Sequence, residues 1–316
     1  MITAEELNLV EDVLRRSVVS DVDLLSRASE HVIRSGGKRI RPRVVLLSHK
    51  AVGGKDISRA VPLAAAMELL HTASLIHDDI NDHSDMRRGL ATVNARWGNG
   101  LALLTGDFIF VRLLNLVATF DSPVIQVLAD CCTAIVEGET LQMSHLGDIE
   151  MTEETYLRIV SRKTASLFSA CSELGAVLAG GTEQHVTILK EYGLNLGIAF
   201  QIRDDTLDLA GKRDDLGKPV FNDLKQGKMS LATIFALKRS ERAREVLFSS
   251  TPGSQTQAQD AAQAVQLLRD TGALEYAALK AKGFVARAKE ALSVLPGSEA
   301  KAVLFDLADF ALAREA

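Results

Sequence analysis

Two clusters of carboxylates stand out by residue type and spacing: Asp78-Asp79-Ile80-Asn81-Asp82 and, far downstream, Asp204-Asp205-Thr206-Leu207-Asp208, both of the form DDxxD. Each closes an apolar stretch of helical periodicity. Residues i and i+4 share a helix face, so Asp78 projects with Asp82 and Asp204 with Asp208. Carboxylates stacked this way repel one another, and near a helix C-terminus the macrodipole adds to the cost. A cation relieves both. Hard carboxylate oxygens suit Mg²⁺, which keeps several waters and bridges one or two carboxylates to substrate phosphates. One such cluster alone serves equally well as a solvated acidic helix end. Two copies, each after an apolar helix, point instead to a diphosphate held between them through metal, with the ions stabilising a departing pyrophosphate.

A diphosphate needs cations as well, and they occur at marked positions: Lys38-Arg39 and Arg41 after Gly36-Gly37, Arg87-Arg88 past the first acidic motif, Lys163, Lys218 and Lys228. Arg clasps phosphate oxygens bidentately, and Lys supplies a point charge. Each has a plainer reading. Lys38 to Arg41 would also suit the C-terminal end of a helix, and Arg87-Arg88 an ordinary loop. His71, two turns before Asp78 on nearly the same helix face, is by itself more often a satisfied core residue.

The elements that must position these groups are helical. Of 316 residues, 47% are hydrophobic and only 5% aromatic, with Leu, Ala, Glu, Lys and Arg recurring, which favours helices over sheets. Thr3 with Glu6 makes a capping box, followed by Leu7, Val10 and Leu14 at helical spacing. Ser20 is expected to cap a second helix ending at Gly36-Gly37. Further helices are expected over 58–82, 101–120, 123–143, 153–178 and 183–209. The segment 211–227, rich in glycine and charge, reads as a loop, and 251–257 as a polar break. Gly297-Ser298 opens the last helix. With no strand alternation or internal repeat, a single all-α domain over residues 1–316 is the simplest architecture.

The net charge of −5 gives no reason to expect nucleic-acid binding. Three cysteines, Cys131, Cys132 and Cys171, form neither a disulfide framework nor a zinc spacing and read as buried thiols in a reducing cytoplasm. The N-terminal stretch is acidic and amphipathic, unlike a signal peptide. Leu101 to Phe120, the longest apolar region, is interrupted by Asp107 and Arg112 and makes a poor membrane span. A soluble, cytoplasmic protein is expected.

The ordered set of blocks resembles the trans-isoprenyl diphosphate synthases, the polyprenyl synthetase family. It comprises GGKRIRP (36–42), LLHTASLIHDDIND (69–82), MRRG (86–89), GD (106–107), GE (138–139), KTASLF (163–168), FQIRDDTLD (200–208) and LGKPVFNDLKQGK (216–228). The resemblance implies a bundle of mostly antiparallel helices around a deep cavity, with the two aspartate motifs facing each other across its mouth. It implies that Asp78, Asp82 and Asp204, supported by Asp79 and Asp208, bind Mg²⁺, three ions with substrate bound. Lys38, Arg41, His71 and Arg88 would hold isopentenyl diphosphate. Arg87, Lys163, Thr164, Gln201, Lys218 and Lys228 would hold the allylic diphosphate, farnesyl or geranyl. The implied reaction is ionisation of the allylic substrate, attack by the isopentenyl double bond, and loss of a proton with pyrophosphate as the base. Homodimers are usual in the family, and a lipid product allows transient membrane contact. The sequence departs from the family pattern at Ser230-Leu231-Ala232 and at Arg203 before the second motif.

In this family bulky aromatics one turn before the first aspartate motif stop chain growth, whereas here the positions are Ala73 and Ser74. The helix from Ser74 back to Pro62 spans about 18 Å, room for roughly three or four more isoprene units. The product expected is therefore heptaprenyl to nonaprenyl, as from an octaprenyl-type synthase, with Met67, Leu70, Phe108 or Phe110 setting the floor. The alternatives are a short-chain farnesyl or geranylgeranyl synthase and a noncatalytic regulatory subunit. Intact aspartates argue against the second. A class I terpene cyclase would not need Lys38, Arg41 and His71, and a ferritin-type di-metal bundle would need a pair of Glu-x-x-His motifs, whereas the sequence has one, Glu68 to His71.

Overall fold

The chain's start is governed by local capping. In α1 (Ala4–Ser17) the Thr3 hydroxyl accepts from the Glu6 amide at 3.2 Å and the Glu6 carboxylate accepts from the Thr3 amide at 2.9 Å, while Val10 and Leu14 turn inward. The helices that follow in the first part of the chain are α2 (Asp23–Arg34), α3 (Ile40–Ala51), α4 (Ala60–Asn81), α5 (Val93–Trp97), α6 (Asn99–Val117) and α7 (Ser122–Ser144). Then come α8 (Glu153–Val160), α9 (Ser166–Leu178), α10 (Glu183–Ala210), α11 (Asn222–Lys225), α12 (Leu231–Arg239), α13 (Glu241–Phe248), α14 (Ala258–Asp270), α15 (Ala273–Ser293) and α16 (Glu299–Ala313). The computed structural model describes residues 2–210, 222–248 and 258–313. Most of the segment expected as a loop, 211–221, lies outside the described residues, as does the polar break at 251–257.

The described chain packs as two compact units. One comprises residues 1–130, 167–193 and 292–305, and the other 131–166, 194–291 and 306–316. In the first unit α4 is the central element and packs against α6, α3 and α1. Leu63, Ala64, Ala65, Ala66, Met67 and Leu69 are all fully buried, so the first half of this helix is apolar on nearly every side. In the second unit α12 packs with α13, α14 and α8. Ser230 starts α12 as its N-cap, accepting from the Thr233 amide at 3.1 Å, which gives the departure from the family pattern at that position a structural role.

Four local expectations are corrected. Ser20 does not cap α2: its hydroxyl accepts from the Val22 amide at 3.1 Å in a turn, and the N-cap is Val22. The helix expected over 153–178 is interrupted by a π-helical turn at Ser161–Ala165. Strands, absent from the sequence reading, occur as a hairpin of β1 (Met86–Arg87) and β2 (Leu90–Ala91), paired Met86 to Ala91 and Arg87 to Leu90. Its turn residues Arg88 and Gly89 have φ +52° and +77°, the left-handed pair that a two-residue hairpin of this twist demands. Finally, Cys131 and Cys171 are buried thiols, but Cys132 is half-buried, its thiol pushed up to about 11 by the apolar surroundings.

Two described helices are long and apolar enough to cross a membrane. The apolar window of α4 is 72% buried within the protein, that of α6 only 33%. On α6 the exposed residues Leu103, Leu104, Val111 and Leu114 lie at helical spacing.

Candidate active site

The block at residues 36–42 does not close a helix. It opens one: Arg39 is the N-cap of α3 and Arg41 lies in its first turn. Cations there face the positive end of the helix dipole, so dipole complementation, the plain explanation of this charge, fails. Arg39 has its own compensation. Its guanidinium donates to Glu11 at 2.5 Å and to Glu68 at 3.0 Å, with Arg39 10% and Glu68 4% exposed, and it also reaches the Ile33 carbonyl at 3.1 Å. Arg39 thus ties the loop to α1, α2 and α4, a role that the sequence reading missed. Arg41 lies with its guanidinium 4.9 Å from the centre of the Phe168 ring, and Lys38 is exposed on the loop.

The hairpin docks onto the same loop. The Arg88 guanidinium donates to the Gly36 carbonyl, and a Cβ at Gly37 would sit 2.8 Å from that guanidinium. Arg87 donates to Asp79 Oδ1 through Nη2 at 2.6 Å and Nε at 2.8 Å. Among the described residues, the non-glycine ones with left-handed φ are Arg39, His83 and Arg88. Arg39 and Arg88 fall in the blocks on either side of the first aspartate motif and His83 follows that motif directly, and strain of this kind collects at binding sites.

His71 lies where these cations act. Burial, and after it the charges of Arg41, Arg88, Arg87 and Arg39, hold its imidazole well below the usual histidine range, so it is neutral at pH 7. On α4 it precedes Asp78 by two turns. The next turn carries Ala73, 3% exposed, and Ser74, whose hydroxyl donates back to the His71 carbonyl at 2.8 Å. Asp78 and Asp82 are half-buried at the end of α4, where Asp82 is the C-cap and its amide donates to the Asp78 carbonyl at 2.8 Å. Just beyond, a Cβ on Gly106 would sit 2.3 Å from His77 Nε2, and that nitrogen is 3.5 Å from Asp107. A side chain at the glycine of the GD block would have to displace the His77 ring, so α6 packs closely on α4 there.

In the second unit α10 carries the other motif two turns before its end. Asp205 is fully engaged: Tyr156 donates to Oδ2 at 2.6 Å and Gln201 to Oδ1 at 2.7 Å. Burial and the nearby Asp223 and Asp204 nevertheless push its carboxyl up to about 7. The Asp223 amide donates to Asp208 at 3.3 Å. Asp204 and Asp208 are half-buried. The π-helical turn supplies Lys163 and Thr164. Thr164 donates to Gln201 at 2.8 Å, and Lys163 bonds Gln142 at 2.8 Å and pairs with Glu139. A Cβ at Gly138 would meet the Lys163 backbone nitrogen at 2.4 Å, so the GE block seats α7 against this turn. Lys228 is half-buried after α11. Lys218 lies outside the described residues.

Tyr156 and Asp223 were not found from sequence. Tyr156 sits in an unremarkable amphipathic helix, and its partner is tertiary. Asp223 had a signal, its place in the block after the second motif. Among the described residues no three His, Cys, Asp or Glu side chains group closely enough to hold an ion by themselves. What fits this donor set is a divalent cation bound by one or two carboxylates and completed by substrate phosphates.

Residues 22–268 match the family described as polyprenyl synthetase. The chain is 42% identical to a short chain isoprenyl diphosphate synthase of Methanothermobacter thermautotrophicus over 95% of this chain and 94% of that one. It is 36% identical to the octaprenyl diphosphate synthase of Escherichia coli, covering 99% and 97%. Among solved structures, the polyprenyl synthase of Caulobacter crescentus complexed with calcium and isoprenyl diphosphate superposes with TM-score 0.94 at 36% identity, over 99% of this chain and 95% of that one. The chain belongs to the polyprenyl synthetase family of all-α prenyltransferases, the trans-isoprenyl diphosphate synthases.

Proposed function

We propose that the protein, acting as one cytoplasmic prenyltransferase domain over residues 1–316, condenses an allylic diphosphate with isopentenyl diphosphate repeatedly, giving an all-trans polyprenyl diphosphate of seven to nine units. The observation that carries this reading is the docking of the hairpin's Arg87 on Asp79 and of its Arg88 on the Gly36 loop that leads to Arg41, around a neutral His71 two turns before an aspartate cluster. Cations that gather on an uncharged imidazole call for an anion, and isopentenyl diphosphate supplies one, held by Lys38, Arg41, His71 and Arg88. The allylic diphosphate, farnesyl or geranyl, is held by Arg87, Lys163, Thr164, Gln201, Lys218 and Lys228. Asp78, Asp82 and Asp204, with Asp79 and Asp208, hold Mg²⁺, three ions with substrate bound, and these supply the charge that stabilises departing pyrophosphate. The apolar, nearly all-round buried α4 keeps water from the cation that forms.

Chain length rests on Ala73 and Ser74. Both are small, and the Ser74 hydroxyl is satisfied by its own helix, so neither blocks a chain growing along α4. A short-chain product is the second reading, favoured by the 42% identity to a short chain synthase. A homodimer is supported by the exposed Leu103, Leu104, Val111 and Leu114 stripe on α6, an apolar face that a second copy would cover. The lipid product brings the protein into transient contact with membranes.

The test is to incubate the protein with farnesyl diphosphate, labelled isopentenyl diphosphate and Mg²⁺ and to separate the dephosphorylated products. A ladder ending near seven to nine units is expected. Geranylgeranyl alone would keep the chemistry and overturn the chain length, and no elongation would overturn the catalytic reading.

A further inference from the structure

A cavity of about 400 Å³ lies wholly within the first unit, between α2, the hairpin and α5. Its α2 wall presents Arg27, Glu30, His31 and Arg34, which follow one helix face at spacings of three, one and three. Leu90 and the Arg96-Trp97 pair form the other side. None of these residues has a role in the proposed condensation.

The wall is built rather than incidental. His31 Nε2 lies 2.7 Å from the Ala91 carbonyl, and since a carbonyl only accepts, that nitrogen carries the proton. Nδ1 is then an acceptor for Arg96 Nη1, 3.3 Å away. The imidazole also meets the Trp97 ring edge-on at 5.4 Å, and the Arg96 guanidinium lies 4.5 Å over that ring. His31 is thus a strut that fixes both Arg96 and Trp97. Arg27 is shared with Asp23 at 3.2 Å. Arg34 and Arg96 have no carboxylate partner among the described residues, so, with Arg27 paired to Asp23, two guanidinium groups face the single carboxylate of Glu30.

The geometry points to a second diphosphate-binding site here, separate from the residues assigned to the substrates. Arg34 and Arg96 supply forked donors that match phosphate oxygens, and Leu90 and Trp97 offer an apolar border that accommodates an attached organic group. The volume suits a small ligand. The shared chemistry is the diphosphate, which comes either as inorganic pyrophosphate or as the head of an organic ester.

Trp97 is the only tryptophan in the chain, so tryptophan fluorescence is emitted from this cavity's wall. The whole protein is titrated in EDTA with inorganic pyrophosphate, geranyl diphosphate and sulfate. The expected result is a saturable change with both diphosphates, weakened about ten-fold by Arg34→Gln, weakened less by Arg27→Gln, and retained in Arg41→Gln, which alters the substrate cations. Both substituted arginines in the cavity are exposed, and either variant suffices if the other does not fold. Tighter binding of geranyl diphosphate identifies the ester as occupant, and equal binding identifies pyrophosphate. The proposal is overturned if there is no saturable response, if sulfate is as effective as the diphosphates, or if the response survives both Arg34→Gln and Arg27→Gln. Loss in Arg41→Gln alone would also overturn it, since Trp97 would then be sensing the substrate site.

Discussion

The two DDxxD motifs share a pattern and lie in opposite electrostatic surroundings. Around the first, burial and then Arg41, Arg88, Arg87 and Arg39 push the histidine on the same helix down, and the middle carboxylate, Asp79, is paired with Arg87 at 2.6 Å. Around the second, burial and then Asp223 and Asp204 push the middle carboxyl, Asp205, up to about 7, and its partners are the neutral Tyr156 and Gln201. The first region sets arginines beside its aspartates and suits an anion together with a metal ion, whereas the second gathers carboxylates and suits a cation. One pentapeptide therefore serves two settings, and its outer aspartates, not its middle one, are what the copies have in common.

The largest effect should come from those outer positions. Asp78→Ala and Asp204→Ala are each expected to lower kcat for condensation by at least about 10²-fold, measured with labelled isopentenyl diphosphate at saturating Mg²⁺. A variant with near-normal kcat would remove its motif from the metal assignment and end the symmetry of the comparison.

The middle positions should differ from each other. Arg87→Gln strands the Asp79 carboxylate, which is only 8% exposed, and should cost about 2–4 kcal/mol in urea unfolding. Adding Asp79→Asn should restore most of that loss, because the stranded charge is then gone. If the double variant is no more stable than the single one, the Arg87 effect is packing, not charge. Tyr156→Phe is expected to cost less, about 1–2 kcal/mol, because Gln201 still holds the other oxygen of Asp205. A cost equal to that of Arg87→Gln would mean that Asp205 behaves as a buried charge, as Asp79 does.

How far this contrast was legible in the sequence depends on the range of the interactions. The apolar run ending in Asp78 to Asp82 marks α4 to within two residues of its observed ends, Ala60 and Asn81, because periodicity is local. The GD and GE blocks were visible as residues, and their reason, contact of Gly106 with His77 and of Gly138 with the Lys163 backbone, is tertiary. The placement of Lys38 to Arg41 at a helix start was missed because Gly36-Gly37 correctly ends α2, and nothing local says that α3 begins so soon. The hairpin was missed because strands of two residues are too short to show alternation. Tyr156 on Asp205 joins residues from separate helices and leaves no trace in spacing.

The smallest effect tests the positive side of the comparison. The unfolded chain protonates His71 near pH 6.5, whereas the folded protein does so only at a lower pH, since burial and the four arginines oppose it. Below about pH 6.5 the unfolded state therefore binds more protons, and stability falls as pH falls, by up to about 1.4 kcal/mol per pH unit, until the folded histidine titrates as well. His71→Gln removes this dependence, so the variant should gain on the wild type between pH 7.5 and 5.5 in urea midpoints measured without metal or substrate. Inorganic pyrophosphate should shrink that gain, because an anion among the same arginines favours the charged imidazole. A difference between the two proteins that does not change with pH would mean that the arginines do not act on His71, and the positive side of the contrast would rest on Arg87 and Asp79 alone.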